Sequence, residues 1–302
     1  MSSCCSASVE KVLRKWTKIL TAADIPEAKQ SVELIISHVL GHKMIHEVSV
    51  SRMLNVTELT RVDNLCEQRL TRVPVQYILG EWDFIDLTLK MRSPVFIPRP
   101  ETENLAEIIH SHLRELEFAT SVNQPRRMLE IGCGSGALSV YLLSKLREFH
   151  AVAVDVSAEA CQLTRDNADL LEVDDRLTVL NEDIMSDSPS LEELSPFDVL
   201  VSNPPYIPCD EVGELEPEVT RHEDHRALDG GVDGLDTVRR ILHMASSLVT
   251  VGGSIWLEVD SRHPVMIQEL LNKQTDTALR YVKTWRDFEK RDRICQLEKV
   301  HA

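Results

Sequence analysis

Along the first seventy residues, apolar side chains recur at three- and four-residue steps. Val9, Val12, Leu13, Trp16, Ile19 and Leu20 form one such stripe, which predicts an amphipathic helix. Asp24-Ile25-Pro26 predicts a turn, and Val32, Ile35, Ile36, Val39 and Leu40 a second helix stopped at Gly41. A third is expected from Thr57 through Leu59, Val62, Leu65, Cys66, Arg69 and Leu70, making a small bundle. The period then changes. Residues 84–91 alternate apolar and polar, as in a half-buried strand, and Gly80 ahead of them suggests a hairpin. Pro94, Pro98 and Pro100 stop any regular ladder, and a helix follows through Leu105, Ile108, Ile109 and Leu116. The polar run 120–126 reads as a loop. Beyond it strands are predicted at 128–131, 151–155, 177–180, 197–202 and 254–259, alternating with helices at 137–146, 158–171, 235–248 and 266–271. Two further strands, near 279–284 and 293–297, close the chain. The pattern predicts an α/β fold, a doubly wound Rossmann-like sheet, mostly parallel with an antiparallel edge, binding ligands outside its C-terminal strand ends. The expected domains are a helical module over 1–74, a hairpin linker over 75–98 and the sheet domain over 99–302.

Composition narrows the function. With 43% hydrophobic and 27% charged residues, the 302-residue chain has an ordinary globular balance, and no apolar run reaches membrane-spanning length. A formal charge of −16 and only 5% aromatics argue against a phosphate-tracking groove or a base-stacking platform. The seven cysteines are scattered without a C-x-x-C, so neither a disulfide framework nor a zinc site is expected, and Cys4-Cys5 reads as a frayed terminus. His38, His42 and His46 would share a helix face, but Gly41 interrupts them and no acidic partner stands at ligand spacing, so no metal is expected.

Two segments carry chemistry. Glu130-Ile131-Gly132-Cys133-Gly134-Ser135-Gly136 lies where the first strand of the sheet meets its helix, and alternate glycines let a ligand approach the backbone closely. Asp155 ends the next strand, where a carboxylate can take both hydroxyls of a ribose. The G-x-G-x-G spacing and the absence of a basic residue suit a positively charged sulfonium better than a pyrophosphate, which points to S-adenosyl-L-methionine. Asn203-Pro204-Pro205-Tyr206 follows the strand at 197–202 directly. The Asn203 side-chain oxygen and the Pro204 main-chain oxygen can accept both hydrogens of a planar NH₂ group, and Tyr206 offers it a flat face.

These segments resemble the class I S-adenosylmethionine-dependent methyltransferases that modify amino groups on planar systems. Ile97-Pro98-Arg99-Pro100-Glu101-Thr102-Glu103 and the leading helical module resemble the HemK/PrmC family, the release factor glutamine methyltransferases. Related segments include Gly80-Glu81-Trp82-Asp83-Phe84, Ala227-Leu228-Asp229-Gly230-Gly231 and Glu258-Val259-Asp260, and the Trp82 and Asp260 variants are most similar to the eukaryotic organellar member. The resemblance implies N5-methylation of the glutamine in the Gly-Gly-Gln tripeptide of class 1 peptide chain release factors. It places Gly132, Cys133, Gly134, Ser135 and Gly136 against the cofactor, Asp155 on its ribose, and Asp183 with Ile184 beside its adenine. It gives the glutamine amide to Asn203, Pro204, Pro205 and Tyr206, with Arg99 and Glu101 shaping the pocket mouth. A monomer acting on a protein partner, without direct nucleic-acid or membrane binding, is expected.

A nucleic-acid methyltransferase of the adenine-N6 type uses the same Asn-Pro-Pro-Tyr logic but needs a basic groove for a flipped base. Lys11, Arg14, Lys15 and Lys18 with a single Glu10 faintly suggest a transit peptide, although the same stripe fits the first helix. The eukaryotic resemblance favours mitochondria over cytoplasm.

Overall fold

The computed structural model describes residues 6–119, 126–186, 188–273 and 278–301; Cys4, Cys5 and residues 120–125 of the loop expected at 120–126 lie outside them, while Arg126 begins a strand. The chain forms two compact units, Met1–Trp82 with Glu216–His222, and Asp83–Leu215 with Glu223–Ala302. The division therefore falls at residue 82, and the seven residues of the excursion lie far along the chain from the rest of their unit. No helix among the described residues is long and apolar enough to cross a membrane.

The first unit contains helices Val9–Ala22, Ala28–Val39 and Val56–Leu70, close to the expected stripes, and a short fourth, Val75–Leu79, that the pattern did not reveal. Ser8 caps the first helix, and Asn55 with Glu58 forms a capping box on the third. Val9, Leu20, Val32, Ile35, Ile36, Val62 and Cys66 meet in its core. Ala7–Ser8 (β1) pairs antiparallel with Met53–Leu54 (β2). The second helix ends at Val39, so His38, His42 and His46 share no helix face; His38 lies 3.4 Å from Glu81 and His42 3.3 Å from Glu47. Arg69, expected on the apolar stripe, is indeed buried, because Glu218 from the short helix Pro217–His222 meets it at 2.9 Å. Its guanidinium also donates to Ser31 Oγ and to the Pro26 carbonyl, both at 3.2 Å.

The alternating run at 84–91 proves to be two strands. Glu81–Phe84 (β3) and Leu87–Lys90 (β4) form a hairpin, turned at Ile85 in the left-handed region at φ 58°. A long helix, Pro100–Ala119, leads into the main sheet, whose strands are Arg126–Ile131 (β5), Phe149–Asp155 (β6), Leu177–Asn181 (β7), Phe197–Ser202 (β8), Val249–Glu258 (β9), Leu279–Arg286 (β10) and Asp292–Lys299 (β11). Their order is β10-β11-β9-β8-β5-β6-β7. Strands β5 to β9 run parallel, while β11 is antiparallel to both neighbours. The order reverses between β5 and β8, so the crevice at this switch point is where such a sheet receives ligands. Leu129, Val154, Leu200, Leu257 and the inner faces of Asp236–Leu248 and His263–Lys273 fill the core beneath.

Candidate active site

A cavity of about 510 Å³ opens at the C-terminal ends of β5, β6 and β8, lined entirely by residues of the second unit. Its floor is the glycine turn between β5 and helix Ala137–Lys145. Gly136 must be glycine twice over. Its φ is 79°, and a Cβ there would meet the Thr164 methyl at 2.9 Å. Gly132, at φ 74°, lies so close to the acceptor segment that its Cβ would stand 4.0 Å from the Asn203 carbonyl oxygen. Cys133 is buried, with its sulfur 3.3 Å from the Thr164 hydroxyl, and is among the residues lining the cavity.

Asp155 Oδ2 accepts from the Gly134 N–H at 2.9 Å, and Oδ1 from the Ser157 N–H at 2.8 Å. The carboxylate therefore ties the glycine turn to the start of helix Ala158–Leu170. Burial pushes its pKa up, opposed by those two backbone donors. Beyond β7, Glu182, Asp183 and Ile184 line the same cavity; Asp183 accepts from the Met185 N–H at 2.9 Å, while Glu182 Oε2 is buried without a partner among the described residues. Glu130, beneath the turn, accepts from the Ser139 N–H at 3.0 Å and from its hydroxyl, and burial pushes its carboxyl up to about 8.

Asn203, Pro204 and Pro205 line the same cavity. The Ser202 hydroxyl donates to the Ile131 carbonyl at 2.6 Å and locks the end of β8 to the end of β5. Asn203 Nδ2 donates to Thr102 Oγ1 at 3.0 Å, which leaves Oδ1 as the group this side chain presents. The following backbone is strapped down by a segment to which sequence reasoning assigned no role. Ile207 N–H donates to the Leu228 carbonyl at 3.0 Å, Gly230 N–H to the Ile207 carbonyl at 2.8 Å, and Cys209 N–H to the Gly231 carbonyl at 3.0 Å.

Three of the expected site residues stand elsewhere. Tyr206 is not among the cavity's lining residues: its hydroxyl accepts from Arg293 at 2.9 Å, and the guanidinium covers its ring at 5.1 Å. Arg99 pairs with Glu223 at 2.6 Å and lies over Phe96, and Glu101 pairs with Arg291 at 2.7 Å. Their neighbours Pro98 and Thr102 reach the cavity instead, as do Val95, Phe96, Asp224 and Arg226. Thr102, like Pro98, stood within a quoted motif without being assigned to the site; only its polar side chain beside two prolines hinted at it. Among the charged lining residues carboxylates outnumber the guanidinium of Arg226, which is itself held by Asp224 at 2.6 Å.

A parallel sheet with this strand order and a glycine turn facing an Asn-Pro-Pro segment define a class I methyltransferase fold. Two family descriptions match the chain, the PrmC N-terminal domain over residues 11–80 and the methyltransferase small domain over 106–214. The human MTRF1L release factor glutamine methyltransferase is 40% identical over 298 residues, covering 97% of this chain and 88% of its own. A release factor glutamine methyltransferase of Chlorobaculum tepidum is 33% identical, covering 95% of each chain. Among solved structures, the hMettl16 catalytic domain in complex with a MAT2A 3′UTR hairpin superposes with a TM-score of 0.51 at 14% identity, covering 83% of this chain and 86% of that one, a likeness of fold. The chain belongs to the release factor glutamine methyltransferase family.

Proposed function

We propose that this protein transfers a methyl group from S-adenosyl-L-methionine to the side-chain amide of a glutamine, the Gly-Gly-Gln glutamine of a class 1 peptide chain release factor. The observation that carries this reading is one cavity in which the glycine turn and Asp155 face Asn203 and Pro204. The lining suits the cofactor. Its excess of carboxylates favours a cation and disfavours a dinucleotide's phosphates, and the unpartnered Glu182 oxygen awaits a donor. Gly132, Cys133, Gly134, Ser135 and Gly136 would hold its amino-acid part, Asp155 its ribose, and Asp183 with Ile184 its adenine. When bound, the cofactor supplies an electrophilic methyl on a sulfonium.

The chain's own residues handle the nucleophile. An amide nitrogen attacks poorly because its lone pair is delocalised into the carbonyl. Asn203 Oδ1 and the Pro204 carbonyl accept its two hydrogens and orient it, and alignment of this kind can be worth roughly 7–11 kcal/mol. Pro205 stiffens the backbone behind them. Tyr206, pinned by Arg293, fixes the direction in which the chain leaves the site. The helical unit engages the protein substrate, since one glutamine offers too little surface for specificity. Work in the mitochondrion is supported by the likeness to the human relative.

The test offers labelled S-adenosylmethionine with a class 1 release factor, the same factor carrying Gly-Gly-Ala, and duplex DNA. Label on the first alone is expected. Label on DNA would replace this reading with an adenine-N6 activity, which the −16 charge disfavours.

A further inference from the structure

Glu223 is buried, yet the chemistry above gives it no part. Its carboxylate is engaged at both oxygens. Oε2 accepts from the Ile97 N–H at 3.2 Å and Oε1 from the Arg99 guanidinium at 2.6 Å. One residue on, the Asp224 N–H donates to the Pro94 carbonyl at 2.7 Å. These bonds join two stretches of chain that both line the cavity, one through Val95, Phe96 and Pro98, the other through Asp224, Arg226 and Ala227.

The first stretch reaches both halves of the site. Val95 packs on Ala160 and Leu163, in the helix that follows Asp155. Further along, Thr102 Oγ1 accepts from Asn203 Nδ2 at 3.0 Å. Between them in the chain come Phe96 and Pro98, and the Arg99 guanidinium covers the Phe96 ring at 4.7 Å. Residues 91–99 belong to no helix or strand, so no ladder holds this wall. Glu223 supplies the acceptor that a neighbouring strand would have given Ile97, and it fixes the guanidinium over Phe96. We infer that Glu223 is a positioning residue for methyl transfer: gripping Ile97 directly and Phe96 through Arg99, it fixes the stretch of wall that joins the cofactor side of the cavity to the Asn203 acceptor. This role rests on the methyl-transfer reading above. A displacement of about 1 Å at a reacting pair can cost about 10²-fold in rate, so a loosened wall shows as lost turnover that tighter binding does not repair.

The test uses the full chain with Glu223→Gln, Arg99→Met and the double variant. Glu223→Gln keeps the size and one acceptor, but its NH₂ must then face either the Ile97 N–H or the Arg99 guanidinium. The first measurement needs no substrate. The chain has six phenylalanines, so fluorophenylalanine labelling gives six resonances, and Phe96→Leu identifies the line of Phe96. That line is expected to move or broaden in Glu223→Gln. The second is single-turnover methylation of release factor, expected to fall about tenfold or more in Glu223→Gln even at saturating S-adenosylmethionine and release factor. Arg99→Met should show a smaller loss of the same kind, and the double variant should fall no further than Glu223→Gln. Arg99→Lys decides the case if Glu223→Gln does not fold: it keeps the charge opposite Glu223 but gives up the flat guanidinium, so the Phe96 line must move and the saturated rate fall at least about threefold. An unmoved Phe96 line, losses that add, or a rate restored by saturation overturns the role. Absence of transfer by the wild-type enzyme defeats the methyl-transfer reading instead, and the Phe96 line still decides whether Glu223 holds the wall.

Discussion

Replacing Asp155 by alanine tests the cofactor side of the site. The carboxylate lies at the cavity wall with one oxygen on the Gly134 N–H and the other on the Ser157 N–H, so each retains acceptor capacity for a ribose hydroxyl. Losing two hydrogen bonds to a charged acceptor, at about 1.5–3 kcal/mol each, should weaken S-adenosylmethionine binding by about 3–6 kcal/mol, or ~10²–10⁴-fold in Kd. Part of that loss will come from the glycine turn, which also loses its tether, so melting of the ligand-free protein must be followed alongside calorimetry. Asp155→Asn should fall between, because its NH₂ must face one of two backbone donors. Burial holds the Asp155 pKa above the usual carboxylate range, so wild-type affinity should decline as pH falls through that raised value, and Asp155→Ala should lack this dependence. A Kd for Asp155→Ala within threefold of wild type would refute the ribose assignment, whatever happened to the melting temperature.

Arg69→Met should cost about 3 kcal/mol in urea unfolding, since it strands the buried Glu218 with Arg72 alone at 3.2 Å, while Arg69→Met with Glu218→Leu should recover most of it. A single-variant loss below about 1 kcal/mol would show that Arg72 and water suffice. Glu130 and Glu258 have folded pKa values raised to about 8 and about 7, so the folded state binds more protons than the unfolded chain above about pH 4.5. Each should therefore erode stability as pH rises to its folded value, by up to about 1.4 kcal/mol per pH unit, and Glu130→Gln should flatten the slope between about pH 5 and 8; an unchanged slope in denaturant midpoints would contradict the burial argument. Methylation of intact release factor should exceed that of a short Gly-Gly-Gln peptide by at least about 10²-fold in kcat/KM, and equal efficiencies would remove the helical unit from substrate recognition.

The sheet, its helices and both chemical segments were legible in the sequence because each is a local matter. Period two and period 3.6 follow from backbone geometry, and the Gly132–Gly136 turn and the proline pair at Pro204 declare unusual backbone at their own positions. The break at Ile85 was hidden because a non-glycine residue in the left-handed region leaves no mark on an alternating pattern. What stands beside each functional group was settled only in three dimensions. Thr102 meets Asn203 across 101 positions, and Arg69 meets Glu218 across 149. Parallel strands require long crossovers, so neighbours at their C-terminal ends are remote in the chain, and no local pattern records which of them touch. For the same reason the motif residues Arg99, Glu101 and Tyr206 read alike with Thr102 and Asn203 in the sequence. Packing separated them, turning the first three to Glu223, Arg291 and Arg293 and the last two to the cavity.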